Sequence, residues 1–345
     1  MKTLIVSGGT GGHIYPGIAL AQEIRRKDPS AEILFVGSEE GLEKDLIGRE
    51  GYPVKLIKAR ALLRKLSYKA ISAPFVSIIG FWQSLRILKE YSPKVVISTG
   101  GYASLPVVLS AKLLSIPIFL LEQNTLPGAV NRLCSRLAKK VFLAFPETIK
   151  YLEGVVVGNP VRREIVTADR ASARKKFNLQ ENETAVLIMG GSQGARQINE
   201  TVFAALRNIP ARVKILHIVG QRDYKDVKAH NYRAFSYIYN MAEILAAADV
   251  VISRAGATAI AEFLVRGLPM ILVPFPFAAE DHQRLNARAI ADKGGAIVVE
   301  NAAFTPKKFS ELVSAVNLDY DKMKKVNLAL AQPQAAERIV EYIYD

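Results

Sequence analysis

The sequence predicts an α/β protein of two Rossmann-like, doubly wound domains facing across a cleft, and three observations predict it. Short apolar, β-branched runs alternate with helical patterns along the chain, which is the signature of parallel α/β units. A series of motifs then occurs twice in the same order. The length, 345 residues, is more than one hydrophobic core usually covers, so two domains are expected.

The first set of strands is expected at Thr3–Ser7, Ile33–Val36, Val95–Ser98, Pro117–Leu121 and Val141–Ala144. The second is expected at Ala185–Met189, Ile215–Val219, Val250–Ser253 and Met270–Val273. GGTGGH at Gly8–His13 corresponds to GGSQGA at Gly190–Ala195, and FVGS at Phe35–Ser38 to IVGQ at Ile218–Gln221. VVIS stands verbatim at Val95–Ser98 and Val250–Ser253, and IPIFLLE at Ile116–Glu122 is echoed by LPMILVP at Leu268–Pro274. With a linker near Val155–Glu164, the domains are read as 1–158 and 159–330. Residues 331–345 are read as a last helix packing back on the first domain.

Half the residues are apolar and 23% are charged, a globular balance that argues against disorder and coiled coil. A single cysteine, Cys134, excludes a disulfide framework and a Cys-based zinc site, and fits a reducing compartment. The opening MKTLIVSGG lacks an apolar signal core, and the tracts at 70–82 and 103–121 are too short or too interrupted to span a bilayer. A cytoplasmic protein is expected.

The net charge of +14 is uneven: residues 1–158 carry +9 of it. No acid stands between Glu50 and Glu90, where Lys55, Lys58, Arg60, Arg64, Lys65, Lys69, Arg86 and Lys89 fall. They are interleaved with Leu62, Leu63, Phe75, Ile78, Ile79, Phe81 and Trp82, too greasy for a plain nucleic-acid face. A second acid-free stretch, Gln123–Pro146, holds Arg132, Arg136, Lys139 and Lys140. Cations beside exposed apolar residues suit an anionic bilayer surface; a solvated helix face over core residues is the bland alternative.

Glycine-rich turns between a strand and a helix let backbone N–H groups approach an anion at the helix N-terminus. Gly8–His13 and Gly190–Gly194 both have that context, though neither is a G-x-G-x-x-G nor a Walker loop. Each alone reads equally as a tight structural turn. Polar groups also gather at expected strand ends, where ligands of open α/β sheets bind: Thr99–Tyr102, Glu122–Asn124, Arg254–Thr258 with Glu262, and Glu280–Gln283 with Asn286. His13, just inside the first helix, is expected to be held neutral by the helix dipole and able to accept a proton. His217, His230 and His282 read as structural, as does Asp319-Tyr320-Asp321 in a Lys-rich helical segment. Cys134, in a basic helix, does not read as a nucleophile. No metal site is expected.

Together these motifs resemble the MurG family of glycosyltransferases. The matching segments are GGTGGHIYPG (Gly8–Gly17), TGGYAS (Thr99–Ser104), EQN (Glu122–Asn124), VVGNPVR (Val156–Arg162), GGSQGARQIN (Gly190–Asn199), SRAGATAIAE (Ser253–Glu262) and DHQRLNA (Asp281–Ala287). They run in order over nearly the whole chain; Leu105 departs from relatives with glycine there. The resemblance implies the glycosyltransferase B fold. It implies inverting transfer of N-acetylglucosamine from UDP-GlcNAc to the C4 hydroxyl of undecaprenyl-diphosphate-linked muramoyl-pentapeptide, in peptidoglycan synthesis at the cytoplasmic face of the membrane.

By the same resemblance, Ile238 meets uracil through its backbone and Glu262 holds the ribose. Ser192, Ala257 and Thr258 cradle the diphosphate, and Gln283 reaches the sugar hydroxyls. Thr10, Gly11, Gly12, Asn124 and Arg162 complete the donor site from across the cleft. The acceptor approaches His13, Tyr102 and Glu122, with His13 the expected base and Glu122 a second choice or its orienter. Arg60, Leu63, Arg64, Lys65, Lys69, Phe75, Ile79, Phe81 and Trp82 form the expected membrane patch. No cofactor or protein-bound metal is required. Another lipid-directed glycosyltransferase, a UDP-N-acetylglucosamine 2-epimerase, a dinucleotide oxidoreductase and a basic nucleic-acid-binding protein are the competing readings.

Overall fold

The computed structural model describes residues 1–60, 68–191, 194–225, 227, 229–315 and 320–345, with the backbone alone described over 68–75. They form two compact units, Met1–Arg162 with Pro333–Asp345, and Arg163–Gln332.

The first unit begins β1 (Lys2–Val6), α1 (Gly11–Lys27), β2 (Glu32–Ser38), α2 (Glu43–Arg49), β3 (Val54–Ile57). It continues α3 (Tyr68–Tyr91), β4 (Val95–Ser98), α4 (Ser104–Leu113), β5 (Ile118–Glu122), α5 (Ala129–Cys134), β6 (Lys140–Leu143) and β7 (Val155–Val156). The strands make one parallel sheet in the order β3-β2-β1-β4-β5-β6-β7. Successive side chains of a strand point to opposite faces, and both faces here are apolar. Ile5, Phe35, Ile97 and Phe119 join one core with Ile14 and Ile18 of α1 and Ile47 of α2. Leu4, Val36, Val96 and Leu120 join the other, with Leu88 of α3, Val107 and Val108 of α4 and Cys134 of α5.

The second unit holds α6 (Arg163–Thr167), α7 (Arg170–Lys176), β8 (Thr184–Met189), α8 (Arg196–Ala205), β9 (Val213–Ile218), β10 (Tyr232–Phe235), α9 (Met241–Ala247) and β11 (Val250–Ser253). After these come α10 (Ala257–Val265), β12 (Met270–Leu272), α11 (His282–Ala291), β13 (Ala296–Val298), α12 (Pro306–Ser314) and α13 (Tyr320–Leu330). Its strands are also all parallel, in the order β10-β9-β8-β11-β12-β13. The last helix, α14 (Ala335–Tyr344), returns to the first unit, where Ile339, Val340 and Ile343 enter the α1-side core and Glu337 pairs with Arg26 of α1.

The duplication in the sequence is a duplication of fold. The two VVIS segments are β4 and β11, lying in register beside β1 and β8. Gly9 and Gly191, at matching points of the two glycine-rich turns, have φ of +88° and +89°. In both sheets the strand order reverses beside these turns, the place where doubly wound folds bind ligands.

Some expectations are corrected. The linker segment Val155–Glu164 contains β7, and the compact units divide at Arg162 and Gln332. Pairing of β7 with β6 and stacking of Arg162 on Tyr15, 4.2 Å from the ring centre, tie residues 155–162 to the first unit. Three further strands lie outside the expected runs: β3 and β10 are interrupted by Lys55 and Arg233, and β13 is only three residues long. Cys134 ends α5, and a 3₁₀ turn over Ser135–Leu137 replaces the continuous basic helix expected there. Its thiol is buried and pushed up to about 11 by desolvation, which makes it inert.

Candidate active site

In the first unit the site forms where the turn after β1 meets the turn after β4. Thr99 is the joint: its hydroxyl donates to the carbonyl of His13 at 2.8 Å and bonds Ser7 Oγ at 2.7 Å. Its own carbonyl accepts from Gln123 Nε2 at 2.5 Å. The N-terminus of α1 is thereby fixed on the ends of β4 and β5.

His13 lies in the first turn of α1, and its Nδ1 is 3.0 Å from the Gly8 carbonyl. A carbonyl can only accept, so Nδ1 carries the proton and Nε2 bears the lone pair of the neutral ring. Gly100 leaves room for this ring: a Cβ there would stand 3.3 Å from Nε2 and 3.1 Å from Cδ2.

Glu122 closes β5 and is 1% exposed. Its Oε1 accepts from the backbone and side-chain amides of Asn124 at 2.9 and 3.2 Å. Its Oε2 accepts from Gly128 N at 3.0 Å and Asn131 Nδ2 at 2.8 Å. Burial pushes its carboxyl up, and these donors pull it the other way. So engaged, it orders the 122–131 loop rather than presenting itself to solvent. Asn131 in turn approaches the same face of Gly100 as His13 does.

Tyr102 lies over Gly9, and its hydroxyl accepts from Ser38 Oγ at 3.2 Å. Glu43, which the motif reading passed over, is fully buried and accepts from Gly9 N–H at 2.8 Å and Ser38 N–H at 3.0 Å through one oxygen. Part of the first turn's anion-binding capacity is therefore filled by the chain's own carboxylate. The signal was present in the sequence as a glutamate opening a helix behind Gly37 and Gly41, but no spacing rule identifies it.

In the second unit Ala257 and Thr258 open α10 behind Gly256, and Thr258 and Glu262 share one face at i and i+4. Both are buried. The N-caps of α1, α8 and α10, the helices that leave the sheets at the reversal of strand order, make no side-chain cap bond and have no acid in the first turn. By contrast α7 and α12 are capped in the ordinary way by Asp169 and Thr305. Helix starts at strand ends are where open α/β folds place anionic ligands.

Ile238 is half-buried between Tyr237 and Tyr239, whose rings are 4.6 Å apart. Gln283 Oε1 accepts from Phe275 N–H at 3.0 Å, so its amide offers N–H donors. Arg254, also unnoticed individually, is buried and spans Val273 O, Pro274 O and Asn301 Oδ1 at 3.0, 3.2 and 2.7 Å. Burial lowers it to about 10, and it holds the loop leading to Gln283. Thr10 and Arg162 belong to the first unit with Gly11, Gly12 and Asn124. Ser192 lies outside the described residues, as does Asp319 of the D-x-D sequence.

Of the remaining histidines, His230 is exposed in a turn, while His217 and His282 bond within the fold. His217 is buried between Tyr232 OH and Asn199 Oδ1, each 3.0 Å away, and desolvation lowers it to about 3. His282 Nδ1 donates to Ala279 O at 2.7 Å. Of the expected membrane patch, Leu63, Arg64 and Lys65 lie outside the described residues, and the side chains of Lys69 and Phe75 are not described. Arg60 pairs with Glu40 at 2.9 Å. On α3, Ile79 and Trp82 are 46% and 63% exposed, with Phe81 half-buried against Trp82. Ile78, and Leu109 and Leu113 on the neighbouring α4, extend this exposed apolar set. No helix among the described residues is long and apolar enough to cross a membrane.

Comparison with known proteins agrees with this architecture. Residues 3–143 match the glycosyltransferase family 28 N-terminal domain and residues 185–341 its C-terminal domain. The UDP-N-acetylglucosamine–N-acetylmuramyl-(pentapeptide) pyrophosphoryl-undecaprenol N-acetylglucosamine transferase of Moorella thermoacetica is 38% identical over 99% of this chain and 98% of its own. The transferase of that name from Desulforamulus reducens is 36% identical with the same coverage. The crystal structure of Acinetobacter baumannii MurG matches with a TM-score of 0.74 at 29% identity, over 99% of both chains. Two parallel Rossmann-like sheets, the paired glycine-rich turns and full-length similarity place this chain in glycosyltransferase family 28, as a member of the MurG family.

Proposed function

We propose that this protein transfers N-acetylglucosamine from UDP-GlcNAc to undecaprenyl-diphosphate-linked N-acetylmuramoyl-pentapeptide, a step of peptidoglycan synthesis, with inversion at the anomeric carbon. The muramoyl 4-hydroxyl oxygen attacks that carbon, the bond to UDP breaks, and UDP leaves with the electron pair. The observation that carries the mechanism is His13: with Nδ1–H held by Gly8, Nε2 is the atom that takes the hydroxyl proton. Glu122 serves as an orienter, through Asn131 and Asn124, since its own oxygens are committed.

On the donor side, Ile238 meets the uracil, Glu262 the ribose, Ser192 with the start of α10 the diphosphate, and Gln283 the sugar. Thr10, Gly11, Gly12, Asn124 and Arg162 contribute from the first unit. Charge developing on UDP is stabilised by helix N-terminal N–H groups and Arg162, each such preorganised donor being worth about 3 kcal/mol. Those donors make a resident metal unnecessary, so transfer should persist in excess chelator.

Radiolabelled UDP-GlcNAc with a short-chain lipid acceptor tests the reading directly. Labelled disaccharide lipid is expected, and its absence with folded protein overturns the assignment. His13→Ala should lower kcat roughly 10²–10⁴-fold with little change in KM for UDP-GlcNAc. A near-wild-type kcat removes His13 as the base.

The protein works at the cytoplasmic membrane surface, where its acceptor lies, with the exposed apolar residues of α3 and α4 as the contact. Arg86, Lys89 and Lys112 stand among them. Trp82→Ala with Ile79→Ala should weaken co-sedimentation with phosphatidylglycerol vesicles at least about tenfold and leave UDP binding intact. Charge reversal at Arg60, Arg64, Lys65 and Lys69 should act in the same direction. Unchanged vesicle binding in both variants makes the patch ordinary surface.

A further inference from the structure

We propose that Glu43 is a positioning residue for the transfer, acting on His13 through the single peptide group that joins Gly8 to Gly9. The N–H of that group donates to Glu43 Oε1 at 2.8 Å, and its C=O accepts from His13 Nδ1 at 3.0 Å. The peptide is planar, with N–H and C=O pointing in opposite directions. Carboxylate, peptide and imidazole therefore form one directional chain. The inference rests on the reading of His13 as the proton acceptor.

The arrangement is built rather than incidental. Glu43 is fully buried, and its Oε1 is also held by Ser38 N–H at 3.0 Å. Two glycines make room for its side chain. A Cβ at Gly41 would stand 1.7 Å from Oε2, and one at Gly37 would stand 2.6 Å from Glu43 Cβ and Cγ. The Gly8 carbonyl also accepts from Thr10 N at 3.2 Å, which keeps the peptide in this orientation.

Hydrogen bonds in a chain polarise one another, by roughly 10–30% per bond. A carboxylate on the N–H side makes the Gly8 carbonyl a stronger acceptor. That fixes the Nδ1–H tautomer and stabilises the imidazolium as Nε2 takes its proton. It is the role the aspartate has in a Ser-His-Asp triad, here with a peptide group interposed. Among the described residues, Tyr102 lies over Gly9, Tyr15 lies beside Gly11 with Arg162 stacked on it, and Glu122 ends β5. Glu122 is bound by Asn124, Gly128 and Asn131, which leaves Glu43 as the carboxylate joined to the Gly8–Gly9 peptide.

Glu43→Gln keeps an amide oxygen for Gly9 N–H and removes the charge. The chain has four histidines, so the His13 imidazole can be followed by NMR titration in the free protein. In Glu43→Gln it is expected to titrate lower by at least about half a pH unit, and the acid limb of kcat should move the same way. kcat on the plateau should fall about tenfold with KM for UDP-GlcNAc unchanged. A purely structural Glu43 would lower kcat or stability without moving either titration, and that result overturns the proposal. Should Glu43→Gln not fold, the same titration in Gly41→Ala, which displaces the carboxylate, decides. Wild-type kcat in His13→Ala removes the base reading itself. Loss of activity in His13→Ala, with the His13 titration unmoved by Glu43→Gln, removes the relay alone.

Discussion

Gly101→Ala is expected to destabilise the first unit by about 3 kcal/mol or more and to lower kcat at least about 10²-fold. Gly101 has φ of +88°, a conformation that costs a residue with a Cβ roughly 1–2 kcal/mol. The added methyl would also lie 2.4 Å from the Gly8 oxygen and 2.8 Å from its Cα and carbonyl carbon. These are backbone atoms and cannot swing aside, so the turn after β1 must move as a whole. The displaced carbonyl is the one that accepts from His13 Nδ1, so stability and catalysis should fall together. Gly294→Ala is the comparison. Its φ is +82° and a Cβ there meets nothing within 4 Å, so it should cost only about 1–2 kcal/mol and leave kcat unchanged. Thermal melting and initial rates on both variants measure the difference. A Gly101→Ala enzyme with wild-type kcat would show that the two turns need not touch.

The second large effect concerns α14. Ile339 is fully buried in the core shared with α1 and the sheet, and Ile339→Ala should destabilise the first unit by about 3 kcal/mol. Deleting 333–345 also removes Val340 and Ile343 from that core, and should leave the first unit unable to fold stably. Denaturant titration of Ile339→Ala, read alongside kcat at 25 °C, separates the two roles. Stability should fall while kcat holds, because α14 meets α1 at Arg26 and Lys27 near its C-terminal end, away from His13. Stability within about 0.5 kcal/mol of wild type would mean that α14 is dispensable. The helix is far from the rest of its unit in sequence, yet its apolar residues at 335, 336, 339, 340 and 343 mark one face that needs a cover.

Much of the fold is legible before folding because it is written in local patterns. Strands such as β4 and β11 are four apolar residues bounded by turns, and the repeated VVIS already pairs them. The glycine-rich turns announce themselves, since the left-handed backbone at Gly9 and Gly191 restricts which residues can stand there. His13 is visible for the same reason, as a histidine directly after such a turn. Strands β3 and β10 are not: Val54–Ile57 and Tyr232–Phe235 contain a lysine and an arginine and are recruited as strands by their neighbours.

The sequence by itself determined the class, the duplication, the uneven placement of the +14 charge and the motifs that carry the family resemblance. Each of these depends on residues close together in the chain, or on a pattern that repeats. Tertiary structure alone decided how those residues are held. The sequence leaves Glu122 open as a base or an orienter, and only the fold brings the donors of Asn124, Gly128 and Asn131 onto both of its oxygens. Glu43 could not be read at all. Its effect depends on a peptide group thirty-odd residues away, brought within 2.8 Å by the parallel pairing of β1 with β2, and contacts of that kind leave no period or spacing in the chain.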